Sequence, residues 1–162
     1  KSIKTCYDNG ETCGIICEDD LCLDYMSKWE LGIEQIIQQA PSDWQIIKIH
    51  CNYTKHINKL IKRKQKIGYF SPWENRSVST LAYIINLSGM TKLLNKYYLN
   101  ERFCLVDEVS SKADVFIYQT VKTYDYTLPL VNHLCDKSHI NPNQESTHQE
   151  GAQTIDNYFR NK

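Results

Sequence analysis

Apolar and polar positions along the chain divide it into short strand-like runs and longer stretches with helical spacing. Residues 1–9 read as the end of a helix closed by Asn9-Gly10, a favoured C-terminal stop. Gly14, Ile15, Ile16 and Cys17 form an apolar run that fits a buried strand, and it ends abruptly in Glu18-Asp19-Asp20. A helix is expected over 25–40, with Asp24 as N-cap, Met26, Trp29, Ile33, Ile36, Ile37 and Ala40 near helical spacing, and Pro41 as its stop. Residues 45–50 alternate as a second strand, and the basic segment 57–66 reads as helix or loop. Residues 68–73, with Tyr69, Phe70, Pro72 and Trp73, look like an aromatic loop. A third strand covers 79–86, with Leu81, Tyr83 and Ile85 alternating against Ala82 and Ile84. Ser88-Gly89 opens a helix through Tyr98 that puts Met90, Leu93, Leu94 and Tyr97 on one face. Residues 114–122 are assigned to helix, and 126–134 to a strand or extended segment around Pro129. After Asp136 the chain turns polar, and 136–162 is expected to be a partly flexible tail with little to bury.

Strands alternating with helices predict an α/β sheet covered on both faces. A chain of 162 residues fits one domain with a core of its own. Nineteen basic residues balance nineteen acidic ones, which removes the electrostatic reason to expect nucleic acid or an anionic membrane as partner. The one dense basic run, with Lys62, Arg63, Lys64 and Lys66, reads as a solvated face. No apolar stretch approaches the roughly 20 residues that span a bilayer, so no transmembrane segment is expected. The seven cysteines are odd in number, include no Cys-x-x-Cys pair and match no zinc-finger spacing. Cys17 and Cys51, inside apolar runs, are expected to be buried free thiols. Sequons at Asn52, Asn75 and Asn86 do not settle the compartment. A cytoplasmic setting, in a bacterium or a virus-infected cell, is the favoured expectation, with the lumen of the endoplasmic reticulum as the alternative.

The acidic run carries the chemistry. Three carboxylates at the end of an apolar strand repel one another and cost desolvation unless a cation compensates. The carboxyl edge of an open α/β sheet is where such a cation or ligand sits. Strand alternation carried through the run would point Glu18 and Asp20 one way and Asp19 the other. Two oxygen donors on one side suit Mn²⁺ or Mg²⁺ bridging to the phosphates of a nucleotide. A solvated acidic turn is the plainer reading of the same three residues.

Three blocks carry a family resemblance. The stretch Gly14-Ile15-Ile16-Cys17-Glu18-Asp19-Asp20-Leu21 resembles the strand and Glu-Asp-Asp motif of glycosyltransferase family 25, which includes lipooligosaccharide and procollagen galactosyltransferases. The second block, Ser79-Thr80-Leu81-Ala82-Tyr83-Ile84-Ile85-Asn86 followed by Ser88-Gly89-Met90 and Lys92-Leu93-Leu94, is similar to that family's Thr-x-Ala-Tyr strand, small-residue turn and Lys-Leu-Leu helix. The third, Ala113-Asp114-Val115-Phe116-Ile117-Tyr118, is similar to its later Asp followed by apolar residues.

The resemblance covers most of residues 3–135. It implies a partial GT-A-like mixed sheet flanked by helices, beginning inside the helix before the acidic motif and so lacking the family's N-terminal nucleotide-binding part. It implies inverting transfer of a hexose, galactose or glucose, from a nucleotide-diphosphate sugar such as a UDP-hexose to the hydroxyl of a glycan or hydroxylysine-type acceptor. Asp20 is assigned to the metal, Glu18 to metal or donor ribose, Asp19 to the donor side and Asp114 to the general base; a helix N-cap is the competing role for Asp114. Trp73 and Tyr69 sit where an aromatic loop could stack on a sugar face, with core packing or a loop anchor as the competing role, and Thr80 is assigned to the donor site. A further metal ligand is expected from the C-terminal histidines His133, His139 and His148, with His139 preferred. Two other classes remain open: a non-catalytic truncated transferase-like domain acting as a binding module, and a cysteine-rich secreted binding domain.

Overall fold

The computed structural model describes residues 1–75, 77–104, 113–134 and 145–161, with backbone alone for Asp114 and Glu145. His139 and Cys135 therefore lie outside the described residues. The chain runs α1 (Ser2–Asp8), β1 (Cys13–Cys17), β2 (Leu21–Cys22), α2 (Ile33–Gln39), β3 (Ile46–Lys48), α3 (Thr54–Ile67), β4 (Phe70–Pro72), β5 (Ala82–Asn86), α4 (Leu87–Tyr97), β6 (Tyr98–Leu99), β7 (Arg102–Phe103), α5 (Ala113–Thr120), β8 (Thr123–Tyr126), β9 (Asn132–His133) and α6 (Glu145–Arg160). The result is a mixed α/β fold, a central sheet flanked by helices.

The five-stranded sheet has the order β1-β5-β3-β8-β4. Strand β5 is antiparallel to both β1 and β3, β8 is parallel to β3, and β4 is antiparallel to β8. Strands β1, β3 and β8 thus run the same way. Their carboxyl ends share one edge of the sheet with the amino end of β5.

Alternation along the strands feeds two cores. Ile47 and Ile84 face one way, against Ile36 of α2, and join Leu128, Leu130 and Val131. Ile46, Tyr83 and Ile85 face the other way, against Met90, Leu93 and Tyr97 of α4 and Ile117 and Tyr118 of α5. Helix α4 starts where Asn86 caps it, its side chain accepting from Gly89 N at 2.9 Å while also donating to the Trp44 carbonyl. Gly89 is required there, because a Cβ would meet the Gln45 carbonyl oxygen at 2.7 Å.

Four expectations are corrected. Strand β1 is an edge strand and only partly buried, with Ile15 47% exposed and Cys17 exposed, because it pairs on one side alone. The helix expected over 25–40 is broken into a 3-10 turn at Met26–Lys28 and α2. Trp29 leaves helical geometry and its Nε1 donates to the Leu130 carbonyl at 2.7 Å, and Gly32 rather than Asp24 opens the second piece. Residues 70–72 form edge strand β4, where Pro72 is tolerated for want of a ladder partner on its outer side. Most of the supposed polar tail is α6, whose Ala152, Ile155 and Phe159 are buried, the last two against Cys51, Ile57 and Leu60. Spaced three or four apart, those three residues form an apolar stripe that composition alone conceals. The six described cysteines are free, Cys51 buried as expected.

Candidate functional site

The carboxyl edge of β1, β3 and β8 gathers the polar groups of interest. Strand β1 ends at Cys17, and Asp19-Asp20 form a turn, so strand alternation does not extend through the acidic run. All three carboxylates are exposed. The turn is nonetheless held on both sides. Glu18 N donates to the Leu81 carbonyl at 2.9 Å, and Leu134 N donates to the Asp20 carbonyl at 2.8 Å. Beyond it, β2 pairs with β9, setting Leu21 opposite His133. Thr80 Oγ1 donates to Glu18 Oε1 at 2.5 Å, so the first two sequence blocks meet in space.

The segment leading into β5 is strained. Ser79 adopts φ 111°, a region that costs a non-glycine residue of order 1–3 kcal/mol and persists only where surroundings hold it. Those surroundings are explicit: Tyr118 donates to the Ser79 carbonyl at 2.7 Å, and Ser79 Oγ lies 2.8 Å from His50 Nδ1. One residue on, Thr80 reaches Glu18. Beneath the segment lies Lys48, 1% exposed although it stands in β3. Its Nζ donates to Ser77 O at 2.6 Å and to Ser77 Oγ at 2.8 Å, and stands 3.7 Å from Asp125 Oδ1 and 4.9 Å from the centre of the Tyr118 ring. Ser77 Oγ donates in turn to Asp125 Oδ1 at 2.6 Å. The buried charge pair therefore fixes residues 77–79 from below.

Sequence reasoning missed His50, Ser79, Lys48 and Asp125. A lysine and a histidine closing the otherwise apolar 45–50 run were the available signal, since a buried lysine requires partners. His50 is 4% exposed and His133 8%. Their rings meet edge-on with centres 5.6 Å apart, and His148 of α6 meets His133 likewise at 5.4 Å. Burial holds the His50 imidazole well below its ordinary pKa, helped by His133, Lys48 and His148. Burial also lowers His133, reinforced by His148 and opposed by the Asp20 carboxylate.

Of the residues singled out earlier, Glu18, Asp20 and Thr80 sit at this edge with His133 and His148. Asp19 shares the turn. Trp73 is engaged in packing, its Nε1 donating to Ser77 O at 2.6 Å and its ring beside Tyr118. Tyr69 stacks on Tyr126 and donates to Glu30 at 3.0 Å. Asp114 lies in the first turn of α5, one turn before Tyr118, which anchors Ser79. An apolar pocket of about 390 Å³ opens on the α4–α5 face, lined by Ile16, Tyr83, Tyr97, Phe103 and Phe116. Among the described residues, no three His, Cys, Asp or Glu side chains are disposed as they stand to hold a metal ion, and no helix is long and apolar enough to cross a membrane. Comparison with known proteins finds no matching protein-family model, no matching curated protein and no matching solved structure.

Proposed function

We infer that this chain is a metal-assisted hexosyltransferase that takes its sugar from a nucleotide-diphosphate donor. The observation that carries the reading is the Thr80–Glu18 hydrogen bond. It joins the acidic turn after β1 to the segment before β5, at the carboxyl edge where α/β sheets bind ligands. Those two segments belong to the first two of the three blocks that carry the sequence resemblance to glycosyltransferase family 25.

The donor set suits Mn²⁺ or Mg²⁺, hard ions that take one or two carboxylates plus substrate phosphate and water rather than a closed protein cage. Asp20 and Glu18 would hold the ion, which when bound neutralises charge on a leaving diphosphate. The chain's own residues do the rest. Thr80 fixes the Glu18 carboxylate, leaving its second oxygen for the ion or a ribose hydroxyl. The Lys48–Asp125 pair and the Tyr118 hydroxyl keep residues 77–80 from relaxing away. Asp114, at the start of α5, is the proposed base for the acceptor hydroxyl. A glycan or a hydroxylysine-type side chain supplies that hydroxyl.

Thermal melting of the protein with Mn²⁺ and a UDP-hexose together tests this. A melting point raised by the pair and left unmoved in Asp20→Asn is expected. Absence of both the shift and donor hydrolysis overturns the reading.

A further inference from the structure

The donor site leaves three histidines unused. His50 follows β3, His133 closes β9 and His148 lies in the first turn of α6, so three separate elements bring imidazoles together. We propose that His50, His133 and His148 form a binding site for a borderline transition-metal ion of the Zn²⁺, Co²⁺ or Ni²⁺ class, distinct from the carboxylate site for Mn²⁺ or Mg²⁺.

Three observations carry this. First, His50 Nε2 is buried and has no hydrogen-bond partner, while its Nδ1 is held by Ser79 Oγ at 2.8 Å. A ligating histidine has that arrangement: one nitrogen fixed by a neighbour, the other left for the ion. Burying the free nitrogen has an uncompensated desolvation cost that coordination would remove. Second, the rings stand at 5.6 and 5.4 Å, edge-on at 85° and 83°. Two imidazoles on one tetrahedral ion, with metal–nitrogen bonds of about 2 Å, put their ring centres about 5 Å apart. Ring rotation is required to turn the nitrogens toward one ion.

Third, Asn52 touches His148 Nε2 through its amide at 3.3 Å, while its own Oδ1 is buried without a partner. Turning that amide over would let Oδ1 accept from Nε2–H, freeing His148 Nδ1 as a donor. Neutral nitrogen donors select zinc-like ions, whereas Mg²⁺ requires oxygen.

The experiment uses chelator-stripped protein and Co²⁺ as the probe. Expected is a visible tetrahedral Co²⁺ spectrum that Zn²⁺ displaces and excess Mg²⁺ does not. The substitutions His148→Gln and His133→Gln each weaken binding at least tenfold. His148 is half-buried on a helix, so its replacement is expected to keep the fold, checked by circular dichroism. Asp20→Asn retains Co²⁺ binding while losing the donor-induced shift, which separates this site from the transferase reading. Absence of Co²⁺ binding, thiolate charge-transfer bands, or affinity unchanged in folded His148→Gln each overturns the proposal.

Discussion

Replacing Gly151 by alanine is expected to destabilise the protein, although the same change in an open helix stabilises it. Gly151 lies inside α6, where alanine would gain about 1 kcal/mol in helix propensity. The helix, however, rests on the backbone that follows β3. A Cβ at position 151 would stand 2.1 Å from the Asn52 carbonyl oxygen and 2.8 Å from its carbon, whereas real contacts essentially never fall below 3.0 Å. The obstacle is main chain and cannot rotate aside, so α6 must retreat by about 1 Å. Overpacking of this kind costs about 1–3 kcal/mol. Retreat also stretches Asn132 Nδ2 to Ala152 O, now 3.2 Å, Thr54 to Thr154, now 3.1 Å, and Tyr25 to Asp156, now 2.7 Å, at about 1 kcal/mol for each bond lost. Net of the propensity gain, a loss of about 3–5 kcal/mol follows. Urea unfolding reads it as a lower midpoint at unchanged slope. Gln153→Ala, on the exposed side of the same helix, is the control and should stay within about 0.5 kcal/mol of the parent. A Gly151→Ala protein as stable as the parent would refute the close approach of α6 to residue 52.

Two further outcomes are expected. Lys48→Met removes the ammonium beside Asp125, leaving the buried carboxylate with the His56 ring at 3.5 Å, and should cost about 3–5 kcal/mol in chemical denaturation, while Lys48→Met with Asp125→Leu should lose clearly less than the sum of the single changes; strict additivity would show that the two charges do not interact. Because the folded His50 imidazole resists protonation and the unfolded one titrates near 6.5, the unfolded state binds the extra proton. His50's contribution is therefore complete above about pH 6.5 and lost as pH falls below it, by at most about 1.4 kcal/mol per pH unit. Denaturation of metal-free protein between pH 7.5 and 5 measures this, and His50→Gln should flatten the slope.

Much of the architecture is written locally. The strand 82–86 and helix 87–97 follow from a period-two run passing into a period-3.6 run at Asn86, whose side chain caps the helix it precedes. The stop of α2 before Pro41 and the turn at Gly10, with φ 75°, are equally local, because a ring or a missing Cβ dictates them. The acidic turn at the end of β1 was legible as the stop of the strand, because three successive carboxylates stay in water.

Contacts between distant segments decided the rest. Trp29 breaks a continuous helical pattern for a carbonyl 101 residues away, and Phe70–Pro72 becomes a strand only because β8 offers an edge. The polar stretch after 145 becomes a core helix because α3 presents an apolar face to receive Ile155 and Phe159. The same holds for chemistry. Glu18, His50, Ser79, Thr80, His133 and His148 are spread over 131 positions, and nothing in their spacing joins them. The parallel course of β1, β3 and β8 brings them to one edge, since strand direction is fixed by ladder pairing between segments far apart in the chain.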